Sequence, residues 1–212
     1  MDKNKKAIEI YDVIAEDYSK TYDTQTPDES LVFQNAILSY LNPNSHIVDI
    51  GCGTGFSADY FSKKGMVVDG IDLSSKMIEI AQKKHSDINF YVADMIDYKP
   101  SQKVDAVYAG YSMFHFDQLD FEKTLKNIKS YLKQGGIFAL VMQEGEGEIE
   151  QVEPFLPEEK IYIKLYKEKE LTQLLCNHGF EILDIKRKIP KNTKEFPYNK
   201  LLIITKSKSV IA

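Results

Sequence analysis

Gly51, Gly53 and Gly55 alternate with Cys52 and Thr54 directly after the short run Ile47–Ile50, whose one polar member is Asp49. Glycine tolerates positive φ, and one or two glycines are enough for a tight turn. Three in alternation, with helix-forming sequence behind them, also let backbone N–H groups and a helix N-terminus approach a ligand with no Cβ atoms in the way. A plain strand-to-helix turn is the alternative reading. A phosphate loop requires Lys and then Ser or Thr after its last glycine, whereas Phe56 and Ser57 follow Gly55. A dinucleotide fingerprint is Gly-x-Gly-x-x-Gly, and Phe56 stands where its third glycine would be. The second chemical signal is Asp72, which closes the next apolar run, "MVVDGID". A carboxylate at that place can accept hydrogen bonds from ribose hydroxyls. Alone, it reads equally as a helix cap or a surface acid.

The elements that would hold these residues follow a rhythm. "SHIVDI", "MVVDGID", "INFYVAD", "VDAVYAGY" and "IFALVMQ" read as five short strands. Between them, "FSADYFSKK" reads as a helix ended by Gly65, and Ser74 caps "SKMIEIAQKK". "FEKTLKNIKSYLKQGG" is an amphipathic helix with Gly135 at its end. Alternating strands and helices of this size predict a parallel sheet covered on both faces. Ahead of it, residues 4–20 read as a polar helix with Tyr11 and Tyr18 on one face, and 28–41 as a second helix stopped before Pro43. From Glu144 the rhythm breaks: "EGEGEIEQVEPFLPEEK" reads as an acidic loop or small lid and no core element. A further helix, "YKEKELTQLLCNHG", then precedes the strands "FEILDIKRK" and "KLLIITK", which lie close enough in sequence to pair antiparallel. The organisation expected is a helical cap at 1–43 and an α/β core at 44–212, with a lid insertion at about 144–167.

Composition narrows the function classes. The 212 residues are 43% hydrophobic and 28% charged, ordinary for a soluble globular chain of one domain. The net charge of −5 argues against a broad nucleic-acid or anionic-membrane footprint. No apolar run approaches the roughly 20 residues of a membrane span. Cys52 and Cys176 form neither a disulfide framework nor a metal-type spacing, and the opening "MDKNKKAIEI" has no secretion-signal pattern. A cytoplasmic protein, without a metal and as a monomer or homodimer, is the expectation.

"VDIGCGTG", "GIDLS", "VADMIDY", "DAVYAGYSMFHF" and "LKQGGIFAL", in that order and spacing, resemble the motifs of class I, Rossmann-like S-adenosylmethionine-dependent methyltransferases of small-molecule type. The resemblance covers residues 45–143, extends more weakly to the C-terminal helix and strands, and includes "YDVIAEDYSKTYD", similar to a helix that closes over the cofactor. It implies a seven-stranded, doubly wound α/β sheet with helices on both faces, mostly parallel, with an antiparallel last strand. It implies S-adenosyl-L-methionine as cofactor and S-adenosyl-L-homocysteine as product. Asp49 and the Gly51 backbone would orient the methionyl amino group, and Cys52, Gly53, Thr54 and Gly55 would line the methionine arm. Asp72 would hold the ribose, with Leu73 by the adenine. Asp94 would accept from the adenine amino group, beside Ala93 and the Met95 backbone. Gly110 and Tyr111 would lie by the sulfonium. Without the resemblance, Asp94 also reads as a strand-end cap, and Met77 as core more than as an adenine neighbour.

An activated sulfonium methyl needs alignment and exclusion of water more than strong acid–base groups. If the acceptor is a hydroxyl or an ammonium, some group must take a proton, and His115 in "YSMFHF" is the candidate base. The competing reading has His115 bonding backbone or shaping the pocket. His46 precedes the first strand, away from the site; His85 reads as a solvated helix residue and His178 as a helix end. "AGYSMF" stands where methyltransferases of amide or exocyclic amino nitrogens carry Asp/Asn-Pro-Pro-Tyr, and no second basic domain appears. A small-molecule acceptor is therefore expected, in a pocket walled by Tyr11, Tyr18, Tyr22, Phe114, Tyr162 and Tyr166. "EGEGE" could favour a cationic acceptor, although a solvated linker is the simpler reading. A nucleic-acid or protein methyltransferase and a non-catalytic cofactor-binding protein remain alternatives.

Overall fold

The computed structural model describes residues 3–23, 31–190 and 197–208. Helices α1 (Lys3–Tyr22) and α2 (Val32–Leu38) precede β1 (His46–Ile50), α3 (Phe56–Lys63), β2 (Val67–Asp72), α4 (Ser75–Lys84) and β3 (Asn89–Val92). Next come β4 (Val104–Gly110), a 3₁₀ turn (Met113–His115), α5 (Gln118–Tyr131), β5 (Leu132–Gln143), β6 (Glu148–Glu153) and β7 (Leu156–Lys164). The chain ends in α6 (Glu168–Asn177), β8 (Phe180–Lys188) and β9 (Lys200–Ser207).

Among the described residues a seven-stranded sheet runs β3-β2-β1-β4-β5-β9-β8. The first five strands of that order are parallel, and β9 enters antiparallel between β5 and β8. The expected α/β architecture is the one observed. Its strands read as continuous apolar runs because helices cover both faces. Val48, Phe121, Leu125, Ile128 and Phe180 meet on one face, and Ile47, Phe61, Ile78, Tyr108 and Leu202 on the other. The sheet order reverses between β1 and β4, so the carboxyl ends of these strands open a crevice. No described helix is long and apolar enough to cross a membrane.

Two expectations need correction. The acidic stretch after Glu144 is not a loop: β6 and β7 form an antiparallel hairpin turning at Pro154–Phe155. Glu148, Glu150, Glu158 and Lys160 are exposed, while Ile161 packs against Ile10 and Ile14 of α1. Gly135 does not end α5, which stops at Tyr131. It lies inside β5 at φ +73, where the register jumps from Val104↔Leu132 to Ala106↔Ile137 and left-handed backbone absorbs the extra residues. The second helix is described only from Val32 to Leu38; the beginning expected for it, 28–30, lies outside the described residues. Ser74 caps α4 as expected, its side chain accepting from Met77 N at 3.2 Å.

Candidate functional site

A cavity of about 740 Å³ opens over the carboxyl ends of the parallel strands, with α1 along one side. The loop after β1 supplies Gly51, Cys52, Gly53 and Thr54, and Asp49 reaches the cavity from the strand itself. Asp72 and Leu73 come from the end of β2, Ala93, Asp94 and Met95 from the end of β3, and Gly110 and Tyr111 from the end of β4. Tyr11, Tyr18, Tyr22, Phe114 and His115 complete the expected set. Gly55, Tyr162 and Tyr166 do not line the cavity. Gly55 is the left-handed N-cap of α3, at φ +87, where a Cβ would come within 2.8 Å of the Phe90 ring. Tyr166 is buried in the core against Phe121, with ring centroids 5.4 Å apart, and Tyr162 contributes only its backbone to the site.

The glycine loop is fixed by its neighbours. Gly51 sits at φ +67, and a Cβ there would lie 2.2 Å from Ser112 Cβ, so the loops after β1 and β4 meet only because the position is glycine. Gly53 N–H donates to Asp72 Oδ2 at 2.9 Å, and Ser74 N–H donates to Oδ1 at 2.9 Å. One carboxylate thus holds the turn after β2 against the loop after β1. Burial raises the Asp72 pKa above the usual carboxylate range, against the lowering effect of these amides.

Asp49 is 2% exposed, and its Oδ2 is buried without a hydrogen-bond partner. Burial, and next the charge of Asp72, push its pKa up to about 8. A buried carboxyl in this state is a site for a cationic donor. Cys52 is buried, and its thiol is raised well above its usual pKa by burial and by Asp72 and Asp49. It stays protonated and packs; the electropositive setting of a nucleophilic thiolate is absent. Asp94 accepts from Ile96 N–H at 2.9 Å, so it does cap the strand end while also facing the cavity. Met77 is buried in the core and touches the cavity too.

His115 is buried, with both ring nitrogens engaged. Nδ1 lies 2.9 Å from Tyr162 O, and Nε2 lies 3.1 Å from Tyr11 Oη. A carbonyl only accepts, so Nδ1 carries the proton and Tyr11 O–H donates to Nε2. Burial drives the imidazole pKa down to about 4, so the ring is neutral at pH 7 and a weak base. This geometry favours the positioning reading, because His115 ties α1 to the hairpin. Among the other histidines, His46 pairs with Asp69 at 2.7 Å, away from the cavity, and His178 caps α6. His85 is not a free helix-face residue but pairs with Asp59 at 3.2 Å.

Several contributors escaped the sequence. Asp23, just beyond α1, accepts from Thr54 Oγ1 at 2.7 Å, Ser19 Oγ at 2.8 Å and Lys84 Nζ at 2.7 Å. Asp12 Oδ1 accepts from Ser74 Oγ at 2.6 Å and Lys76 N–H at 3.1 Å, which adds an acid at the N-terminus of α4. Helix α1 is therefore tied to both cavity-forming turns. Glu153 on the hairpin is buried and lines the cavity, its carboxyl raised above the usual range by burial. Only chain crossings at high sequence separation bring these groups in, and no local pattern marks them.

Comparison with known proteins agrees with this geometry. Residues 47–136 match a family described as "Methyltransferase domain". Ubiquinone biosynthesis O-methyltransferase of Coxiella burnetii is 28% identical over 155 residues, 66% of this chain and 65% of that protein. The chain thus spans just under two thirds of that relative's length. A SAM-dependent methyltransferase structure from Methanosarcina mazei superposes with a TM-score of 0.74 at 22% identity, covering 82% of this chain and 98% of its own. The 1,6-didemethyltoxoflavin-N1-methyltransferase of Burkholderia thailandensis, solved with S-adenosylhomocysteine, gives 0.69 at 20% identity, covering 95% of this chain and 90% of its own. At these identities the structural likeness speaks for the fold, and the sequence match speaks for the motifs that line the cavity. By both, residues 47–136 match a methyltransferase domain, and the chain shares its fold with solved S-adenosylmethionine-dependent methyltransferases.

Proposed function

We propose that this protein transfers a methyl group from S-adenosylmethionine to a small-molecule acceptor held under α1 and the β6–β7 hairpin. The observation that carries the reading is the unpartnered, buried Oδ2 of Asp49 beside the open backbone of Gly53, where a Cβ would meet nothing within 4 Å. An α-amino acid presents an ammonium to such a carboxyl and needs such a gap for its chain. Bound there, the cofactor supplies a methyl group activated by a sulfonium: the S–CH₃ bond breaks with its electron pair remaining on sulfur, and an acceptor lone pair forms the new bond.

The chain's own residues bind, orient and exclude water. Asp49 holds the ammonium. Asp72 keeps acceptor capacity for a ribose hydroxyl after taking backbone amides, since a carboxylate offers about four lone-pair sites. Leu73, Ala93, Asp94 and Met95 flank the base. Gly110 stands beside the sulfonium with its Cβ position taken by the Tyr108 ring, which a side chain there would meet at 2.6 Å, and Tyr111, with φ +61, is held in left-handed backbone at that strand end. Such strain is found where surrounding structure over-determines a functional conformation. Tyr11, Tyr18, Tyr22 and Phe114 close the acceptor side, and α1 serves as a cap over residues 44–212. Composition supports a cytoplasmic setting and a small-molecule partner.

Calorimetry with S-adenosylhomocysteine tests the cofactor site, and release of that product across a metabolite panel tests transfer. Micromolar or tighter binding, with NADH inert, is expected. Absence of S-adenosylhomocysteine binding to the folded protein would overturn the reading. Binding without product release for any acceptor would reduce the protein to a cofactor binder.

A further inference from the structure

The cavity wall farthest from the glycine loop along the sheet is built by the neighbouring strands β5, β9 and β8. Gln143 of β5 lies opposite Lys200 of β9, and Lys200 lies opposite Lys188 of β8. Residues directly opposite across strands share a face of the sheet, and all three line the cavity. Lys200 is 6% exposed, and Gln143 is 1% exposed with its Oε1 unpartnered. Lysine is almost never this buried without an anion nearby. Both lysines also have partners within the chain, which orients them; an ammonium offers three donors, so a ligand can share it.

Acidic and basic side chains are therefore segregated along the cavity. Asp49, Asp72 and Asp94 stand at the ends of β1, β2 and β3, where the adenosyl half would lie, and the two lysines stand beyond β5. The hairpin acid Glu153 also faces the cavity, but burial favours its uncharged form. Building on the methyl-transfer reading, we propose that the acceptor is a small organic acid whose carboxylate is anchored by Lys188 and Lys200, with Gln143 Oε1 taking a hydrogen bond from a neighbouring hydroxyl or amide. Gly110 is opposite Val141, two residues short of Gln143, and β9 is two strands from β4. Those steps put the ledge about 10 Å across and about 7 Å along from Gly110. The carboxylate is thus a handle, and the methylated atom belongs to another part of the acceptor.

The test is calorimetry on protein saturated with S-adenosylhomocysteine, using three acids each beside its neutral amide: 4-hydroxybenzoate and 4-hydroxybenzamide, succinate and succinamide, malonate and malonamide. At least one acid is expected to bind about tenfold or more tightly than its amide. K188Q and K200Q should each weaken that acid at least about fivefold while changing S-adenosylhomocysteine affinity less than about twofold. The proposal is overturned if no acid outbinds its amide, or if the variants bind acids as the wild type does. Should K200Q not fold, K188Q and salt decide: raising NaCl from about 50 to about 300 mM weakens binding of the acid and not of the amide, and equal response overturns the idea. S-adenosylhomocysteine binding is measured first. Its absence would sink the methyl-transfer reading itself, an outcome distinct from a cofactor site that works beside an acid ledge that does not.

Discussion

Asp49 turns the cofactor reading into a pH experiment. In the free protein burial and the Asp72 charge hold its carboxyl at about 8, so it is mostly protonated at neutral pH. An ammonium needs the ionised form. Between pH 7.5 and pH 6 the ionised share of a group with pKa about 8 falls from about a quarter to about one in a hundred. Affinity for S-adenosylhomocysteine should fall about 25-fold over that interval, or about 1.9 kcal/mol. Its amino group stays largely protonated throughout, so the slope reports the protein. Binding should also release close to one proton, visible as an enthalpy that depends on the buffer's own ionisation heat. Asp49→Asn should bind weakly with a nearly flat profile. Stability runs the other way: the folded pKa lies above the unfolded value of 3.8, so the free fold loses stability as pH rises from about 4 to about 8. The Tm gain of Asp49→Asn over the wild type, without ligand, should therefore widen over that window. A wild-type affinity constant within twofold from pH 6 to pH 7.5, or the same slope in the variant, would refute the assignment of Asp49 to the ammonium.

Three further outcomes follow from the geometry. Asp72→Ala removes the acceptor of the Gly53 and Ser74 amides as well as the ribose contact, so S-adenosylhomocysteine affinity should drop by at least roughly 1.5 kcal/mol in a folded variant; unchanged affinity by calorimetry counts against it. His115→Asn should leave the shape of any turnover–pH profile intact. Loss of the acid-side limb, where turnover rises as a base deprotonates, would restore His115 as a base. The wild type should lose Tm as pH falls from 6.5 toward about 4, where this buried neutral ring must charge, and the variant should lose less. Gly51→Ala should destabilise by about 1–3 kcal/mol from its positive φ alone, with more from the Ser112 contact, read as a lower urea midpoint.

Much of the core was legible because most parallel strands hold a short apolar run and the helices between β1 and β8 carry a capping residue or a terminal glycine. Ser74, Gly65 and Gly179 all behave as their types demand. The rim proposed for the cofactor was legible for the same reason, since strand ends place Asp49, Asp72 and Asp94 along one side of the cavity whatever the rest of the chain does. The hairpin was missed because its exposed positions are rich in charge, and Pro154 and Pro157 read as breakers; its burial comes from α1, 150 residues away in the chain. Gly135 was misplaced because a glycine after an amphipathic run looks like a cap, whereas here it serves a bulge. Tyr162 and Tyr166 were assigned to the pocket by type alone; Tyr162 on β7 gives the site only its carbonyl, and Tyr166, past the strand's end, packs into the core against Phe121. Lys200 and Gln143 meet only through the antiparallel insertion of β9, a register that no local pattern encodes.

The turn after β2 answers to two masters. Through Asp72 it contacts the glycine loop, and through Ser74 Oγ and Lys76 N–H it grips Asp12 on the first helix. Anything that steadies the turn from the inside must then make that helix harder to peel away, and docking the helix must in return sharpen the hold on whatever lies within, because such coupling is reciprocal. A helix freed from that turn would accordingly weaken the equilibrium hold on whatever the cavity binds.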